Sequence, residues 1–124
     1  MDLRGGRLWE RIAMAAVTVL TVVVMIASLG FERRIANQKL LFYQLQTLRT
    51  SVNLFKAMAK RNPESLTELA EAEYRFPGEE QRRRYLSITP MNENSAFVDP
   101  FGHPYGYDVK SGWVKSQTPG YEYW

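Results

Sequence analysis

Few side chains in this 124-residue chain are suited to chemistry, and their spacing is poor for it. There is no cysteine, so neither a disulfide framework nor a thiolate metal site can form. The one histidine, His103, stands between Gly102 and Pro104. A single imidazole is too little for a histidine-rich metal centre or for a Ser-His-Asp triad of the usual kind. A turn position that accepts many residue types explains His103 better than a ligand or pH-sensing role. Glu79/Glu80 and Asp99/Asp108 are carboxylate pairs, but nothing in the sequence places them in a cleft, and surface solvation accounts for them. Asp99 and Asp108 alone supply too few oxygens for calcium. The sequence therefore predicts no enzyme, no catalytic residue, no metal site and no cofactor.

The elements that carry these residues begin with charge. The net charge of +3 is unevenly spread: residues 32–61 hold seven bases against Glu32 alone, while residues 62–124 hold ten acids and six bases. A basic segment beside an apolar one suits anionic lipid headgroups. Nucleic-acid binding would need bases interleaved with aromatic platforms on one folded surface, a pattern this chain lacks. The expected partner is a membrane, not nucleic acid.

The apolar segment is Ile12 to Leu29, eighteen residues without a charge. As a helix it would reach about 27 Å, close to the thickness of a hydrocarbon core. Its threonines and serine can bond back to the helix backbone. A cleaved secretory signal would need a shorter apolar centre and a small-x-small exit, whereas this run leaves through Ser28-Leu29-Gly30-Phe31 into Glu32-Arg33-Arg34. An uncleaved anchor is the expectation. Arg4, Arg7 and Arg11 on one flank nearly balance Arg33, Arg34 and Lys39 on the other, so charge alone sets no topology.

Beyond Gly30 the pattern becomes periodic. Leu41, Leu45, Leu48, Val52, Phe55 and Ala59 form one stripe on a helix. No proline interrupts residues 12–62, so a single helix of about fifty residues, roughly 75 Å long, is predicted, ended by Pro63 and with Gly30 as the place for a bend or local melting. The stripe is too short for a coiled coil and is expected to pack on the chain's own head.

The head begins with a capped helix, Leu66 to about Glu73, in which Ser65 and Glu68 have capping-box spacing. Pro77-Gly78 marks a turn, and Glu79 to Arg84 a solvated loop or helix end, with Arg82-Arg83-Arg84 a less favoured docking patch. Strands are predicted at Tyr85–Thr89, Ser95–Val98, Tyr105–Lys110 and Gly112–Ser116, the last two joined by a tight turn at Ser111-Gly112. Alternation puts Tyr105, Tyr107 and Val109 on one face and Gly106 and Asp108 on the other, with Trp113 and Val114 capping the same core. Four segments result: a basic flank 1–11, a transmembrane helix 12–29, a helical stem 30–62 and a β-rich head 63–124. The fold class is α+β.

The segment Asp99-Pro100-Phe101-Gly102-His103-Pro104-Tyr105-Gly106-Tyr107-Asp108 resembles the D-P-[WF]-G-x-P-Y-x-Y segment of type II secretion pseudopilins, especially the major pseudopilin, within the wider type IV pilin-like family. Pro63-Glu64-Ser65-Leu66-Thr67-Glu68-Leu69 is similar to the P-x-S-L-x-E-L that follows their long helix. In the head motif, Pro100 and Pro104 stiffen the bend, Gly102 permits a positive φ and Asp99 can cap turn amides.

The resemblance implies a pilin-like fold, with one long helix packed on a small antiparallel sheet. It also implies a basic leader ending in glycine, cut by a prepilin peptidase, often followed by N-methylation, with a glutamate fifth in the mature chain. Cutting after Gly5 makes Gly6 the first mature residue and Glu10 that glutamate. Gly6, Arg7 and Arg11 depart from the family's apolar pattern there. Glu10 either pairs with a neighbouring subunit's amino terminus or sits in the interface beside Arg7 or Arg11. The acidic C-terminal loop that holds calcium in the major pseudopilin has no counterpart in Ser116 to Trp124, so no calcium site is expected.

The function implied is a non-enzymatic structural subunit, single-pass in the bacterial inner membrane with its head in the periplasm. It would assemble through its N-terminal helix with copies of itself or other pseudopilins into a periplasmic or extracellular filament, served by an assembly platform. The alternative is a monomeric membrane-anchored binding module with a periplasmic head, for which the aromatic tail Tyr121-Glu122-Tyr123-Trp124 would be suited.

Overall fold

The computed structural model describes residues 3–87 and 97–124, with side chains from residue 6 onward. Its first element is one helix, α1, Leu3–Ala59. The helix runs through Gly30 without interruption; one glycine costs a helix interior only about 1 kcal/mol relative to alanine, which the long helix absorbs. It ends earlier than Pro63 requires. Lys60 takes a left-handed conformation, φ 59°, and its amide bonds back to the Lys56 carbonyl at 3.0 Å, a turn that cannot continue the helix. The chain divides into two compact units between Ala36 and Asn37.

In the first unit the large apolar side chains from Leu8 to Leu29 are exposed on all sides. The most apolar eighteen-residue window has no buried residue, and the helix is long and apolar enough to cross a membrane. Thr18 and Thr21 donate their hydroxyls to the carbonyls of Met14 and Val17, at 2.9 and 2.8 Å, so neither leaves a free polar group on the apolar surface.

In the second unit the helical stripe becomes a core. Leu41, Leu45, Leu48, Val52 and Phe55 are buried against Leu69, Tyr85, Leu86, Phe97, Tyr105, Val114 and Tyr121. Ala59, the sixth stripe position, is exposed; the chain turns away at Lys60, so no partner covers it. The stripe thus packs on its own head. Each fully buried leucine contributes about 1.5–3 kcal/mol relative to an exposed one.

The second helix, α2, Leu66–Glu71, starts at Ser65, whose hydroxyl accepts the Glu68 amide at 3.1 Å. The Glu68 carboxylate reaches past Ser65 to the Glu64 amide at 2.6 Å and pairs with Arg61. Arg61 is the first cause, and the Glu64 amide the second, that hold this carboxyl below its ordinary range. The helix stops two residues before the expected Glu73, because Ala72 is already extended and residues from Glu73 pair as a strand.

Among the described residues, two small antiparallel ribbons complete the head. The first pairs β1, Glu73–Tyr74, with β2, Arg83–Arg84. Strand therefore replaces part of the expected charged loop. Opposite charges facing across the ribbon, Glu73 and Arg84, and an Arg83–Glu79 pair at 3.1 Å compensate for the weak strand preference of arginine. Conversely Tyr85 to Ser87 is not strand. The buried Ser51 hydroxyl takes the Tyr85 carbonyl at 2.8 Å, and the Tyr85 ring packs on Phe55 and Tyr74, so side chains of the stem and β1 replace a ladder partner. The remainder of that expected strand, Ile88 and Thr89, lies outside the described residues, as do Ser95 and Ala96 of the next. Phe97 and Val98 are described and form bridges rather than a strand: Val98 pairs with Pro104, and the Phe97 carbonyl accepts the Tyr105 amide at 3.3 Å.

The second ribbon pairs β3, Tyr105–Asp108, with β4, Trp113–Ser116, placing Tyr105 opposite Ser116 and Asp108 opposite Trp113. Its connection is wider than Ser111-Gly112. The Gly112 amide bonds the Asp108 carbonyl at 2.7 Å, Gly112 adopts φ +71°, and the Asp108 carboxylate accepts the Lys110 amide and the Ser111 hydroxyl. These bonds draw Val109 and Lys110 out of β3 and Gly112 out of β4, and leave Val109 exposed rather than on the Tyr105 face. The Asn62 amide then ties the turn to the end of α1 through the Val109 and Lys110 carbonyls at 3.0 and 3.1 Å.

Candidate functional site

The head motif folds into one hydrogen-bonded knot around Asp99. Pro100 and Phe101 occupy the middle of a turn closed by the Gly102 amide on the Asp99 carbonyl at 3.0 Å, and Gly102 adopts φ +84°, a conformation favourable to glycine. The Asp99 carboxylate is 3% exposed. One oxygen accepts the amides of Phe101 and His103, both at 2.9 Å; the other accepts the hydroxyls of Ser116, at 3.2 Å, and Thr118. A buried carboxylate is costly unless hydrogen-bonded, and here four donors converge on it. Asp99 thus joins the turn to β4 and to the segment that follows.

His103 meets the same network from outside. Its Nδ1 lies 3.1 Å from the Thr118 hydroxyl oxygen. That hydroxyl donates its proton to Asp99, so its oxygen is left to accept a hydrogen bond on the imidazole side. His103 is therefore the outer end of an Asp99–Thr118–His103 chain. The chain has no second imidazole, and the Thr118 hydroxyl beside His103 is directed at Asp99. Among the described residues no three His, Asp or Glu side chains are grouped to hold a metal ion.

The motif's rings fix the head to the stem. The Tyr105 hydroxyl donates to Gln44 at 2.5 Å, the Tyr107 hydroxyl donates to the Pro63 carbonyl at 2.6 Å, and the Phe101 ring stacks on Tyr121, whose hydroxyl accepts from Gln38 at 2.5 Å. Burial, with Asp99 nearby, pushes the Tyr105 phenol well above its ordinary range, and burial also raises Tyr107. Pro104 is exposed and completes the bridge to Val98.

Sequence reasoning did not foresee the place of Arg49. This arginine sits on the stem beside the stripe and donates through Nε to the Val114 carbonyl at 2.9 Å and through Nη2 to the Trp124 carbonyl at 2.5 Å. Its guanidinium lies 4.0 Å from the centre of the Trp113 ring. Trp113 is consequently on the outer face, 53% exposed, not in the core as expected, while Val114 beside it is fully buried. Adjacent strand residues point to opposite faces, so only one of the pair could fill the core. An arginine one position past a buried leucine was the signal available.

The residues assigned to processing and assembly are all in the first unit. Gly5 and Gly6 belong to the first turns of α1, and nothing lies within 4 Å of where a Gly6 side chain would be. Glu10 is exposed and has no ion pair with Arg7 or Arg11 among the described residues.

Comparisons with family models, curated proteins and solved structures match nothing. The chain's chemistry has to be read from its own surfaces. Among the described residues those are an apolar helix stretch with no cover, a hydrogen-bonded head, and open grooves. One groove, of about 450 Å³, is lined by Phe42, Leu45, Arg49 and Trp124. Another, of about 420 Å³, lies on the outer face of the β3–β4 ribbon.

Proposed function

We propose that the chain is a non-enzymatic structural subunit of a type II secretion pseudopilus or a type IV pilus-like filament, held in the bacterial inner membrane by α1 before assembly, with its head in the periplasm. The observation that carries this reading is the difference between the stretches of α1. The stem stripe is covered by the head, whereas the apolar side chains from Leu8 to Leu29 are covered by nothing in the described chain. Lipid first, and the same helix of neighbouring copies afterwards, are the partners that match such a surface. The pilin-like layout is supported by the long helix and the small antiparallel ribbons, and by Asp99 to Tyr107 serving as the brace of the head.

On this reading a prepilin peptidase removes the leader after Gly5, Gly6 becomes the methylated amino terminus, and Glu10 pairs with the amino terminus of a neighbour during extraction by the assembly platform. The filament acts mechanically and uses a cytoplasmic ATPase carried by another protein.

Crosslinking tests the filament. The chain has no cysteine, so Val17→Cys provides a single reporter on the exposed helix. Bis-maleimide treatment of membranes is expected to give a crosslinked dimer through this position; strict monomers would favour the anchored binding module instead. That second reading draws on Tyr123, which is 98% exposed. N-terminal mass analysis tests processing separately: a chain beginning at Gly6 is expected, and an intact Met1 rejects the cleavage.

A further inference from the structure

The outer face of the β3–β4 ribbon has an arrangement that neither the fold nor assembly requires. Trp113 is a large ring left half in solvent, yet it is not loose. The Arg49 guanidinium covers one face of it at 4.0 Å, and Arg49 is itself held by the Val114 and Trp124 carbonyls. A ring fixed in this way loses little freedom when something packs on it.

The ring borders the open groove of about 420 Å³, whose other walls are Gly106, Tyr107, Asp108, Ser111, Lys115 and Gln117. Register explains the grouping: Gly106 faces Lys115 and Asp108 faces Trp113 across the ribbon, all on the side away from the core. Gly106 is the floor. A side chain there would come within 3.1 Å of the Gln117 amide nitrogen and 3.2 Å of the Lys115 stem, so its absence keeps the floor low and lets both side chains lie across it. Asp108 is held as the charged form, first by the Ser111 hydroxyl and then by the Lys110 amide, with its carboxyl below the usual range.

The chemistry of the lining selects the ligand. One carboxylate and one ammonium cancel, so the groove has no net preference for a polyanion or a cation. An apolar peptide would find a single exposed ring among polar groups. A carboxylate that only accepts, an ammonium that only donates and an amide that does both suit a neutral ligand dense in hydroxyls, and the ring suits its C–H face. We infer that this groove binds neutral oligosaccharide, with a pyranose ring against Trp113 and its hydroxyls bonded to Asp108, Lys115 and Gln117. Nothing in this groove depends on whether α1 assembles with other copies.

The test uses the full chain in micelles of a detergent without a sugar headgroup, since a maltoside would compete. Cellohexaose and chitohexaose are titrated while the indole N–H signals of Trp9, Trp113 and Trp124 are followed by NMR. The expected result is a saturable shift of Trp113 alone, with a dissociation constant on the order of 1 mM. Trp113→Ala, read from the backbone amide signal of Gly106 in the same groove, is expected to weaken binding about tenfold or more, an effect of about 1.4 kcal/mol. The exposed substitutions Lys115→Ala and Gln117→Ala, which leave Arg49 and the ring in place, should each weaken it about threefold with the rest of the spectrum unchanged. No shift of Trp113 with either sugar would overturn the inference. So would equal affinity in all three variants, or tighter binding of a sulfated polysaccharide than of the neutral chains.

Discussion

The two stretches of α1 differ in how much apolar residue they carry and in how it is arranged, and they meet opposite fates. From Ile12 to Leu29 no side of the helix carries a charge and every side is exposed. From Leu41 to Phe55 one apolar stripe is buried against the head, while Phe42 and Tyr43, off the stripe, stay exposed. Both quantity and pattern separate them. A stripe can be covered by one partner from the same chain, and a helix that is apolar all round cannot. The first stretch therefore depends on its surroundings, lipid or other helices, while the second is satisfied within the molecule.

That contrast can be broken at its most expensive point by Asp99→Ala. The substitution strands two amides and two hydroxyls that now share the buried carboxylate, and is expected to cost the head about 4 kcal/mol. Urea unfolding of the full chain in micelles, followed by near-ultraviolet circular dichroism, measures the loss. A cost under about 1 kcal/mol would mean that water replaces Asp99, and that the knot is not the brace of the head.

A matched pair of truncations then compares the two stretches directly. Leu48→Ala removes a fully buried side chain and should destabilise the head by about 3 kcal/mol. Leu20→Ala removes an exposed one and should change the same unfolding curve by less than about 0.5 kcal/mol. Similar losses in both would show that the apolar stretch is covered within the chain after all. Leu20→Arg sharpens the comparison from the membrane side. It places a charge near the middle of the apolar run, and should disfavour insertion by about 3 kcal/mol while leaving the head's unfolding midpoint where it was. Partition between membrane and soluble fractions reads the first effect.

The smallest effect is one of pH. Burial raises the phenols of Tyr85, Tyr105 and Tyr107 in the folded head, desolvation being the largest cause for each. A group whose folded value lies above its unfolded one leaves stability intact below the unfolded value, about 10 for tyrosine, and erodes it above. The urea midpoint should therefore be flat from neutral pH to about 9 and fall beyond 10. Tyr105→Phe should reduce the alkaline fall and cost roughly 1 kcal/mol at neutral pH, because the Gln44 carbonyl loses its donor. A fall in the midpoint that Tyr105→Phe leaves unchanged would assign the alkaline loss to other groups.

Helix, stripe and turns were legible in the sequence because each is local. The eighteen uncharged residues from Ile12 to Leu29 and the spacing of Leu41, Leu45, Leu48, Val52 and Phe55 are carried by neighbours one or two helical turns apart. Ser65 and Gly102 likewise have roles set within four residues of their own positions. What local pattern could not supply were the partners. Arg83 and Arg84 read as loop because arginine has little strand preference, and became strand because Glu73 and Tyr74 lie opposite. Tyr85 read as strand, but the Ser51 hydroxyl from the stem took its carbonyl.

The same division holds for the candidate sites. Asp99 was legible as a cap for its own turn; its bonds to Ser116 and Thr118, and the link through Thr118 to His103, join residues up to nineteen positions apart. Arg49 is farther still from its partners, 65 positions from Val114 and 75 from Trp124, and it decided that Trp113 faces outward and Val114 inward. By itself the sequence determined which segments are helical, which stretch is apolar on every side and which residues turn the chain, since those follow from backbone preference and the hydrophobic period. Only the tertiary structure decided which polar groups meet across the head, because a hydrogen bond needs a partner within about 3 Å and no spacing along the chain reports that distance.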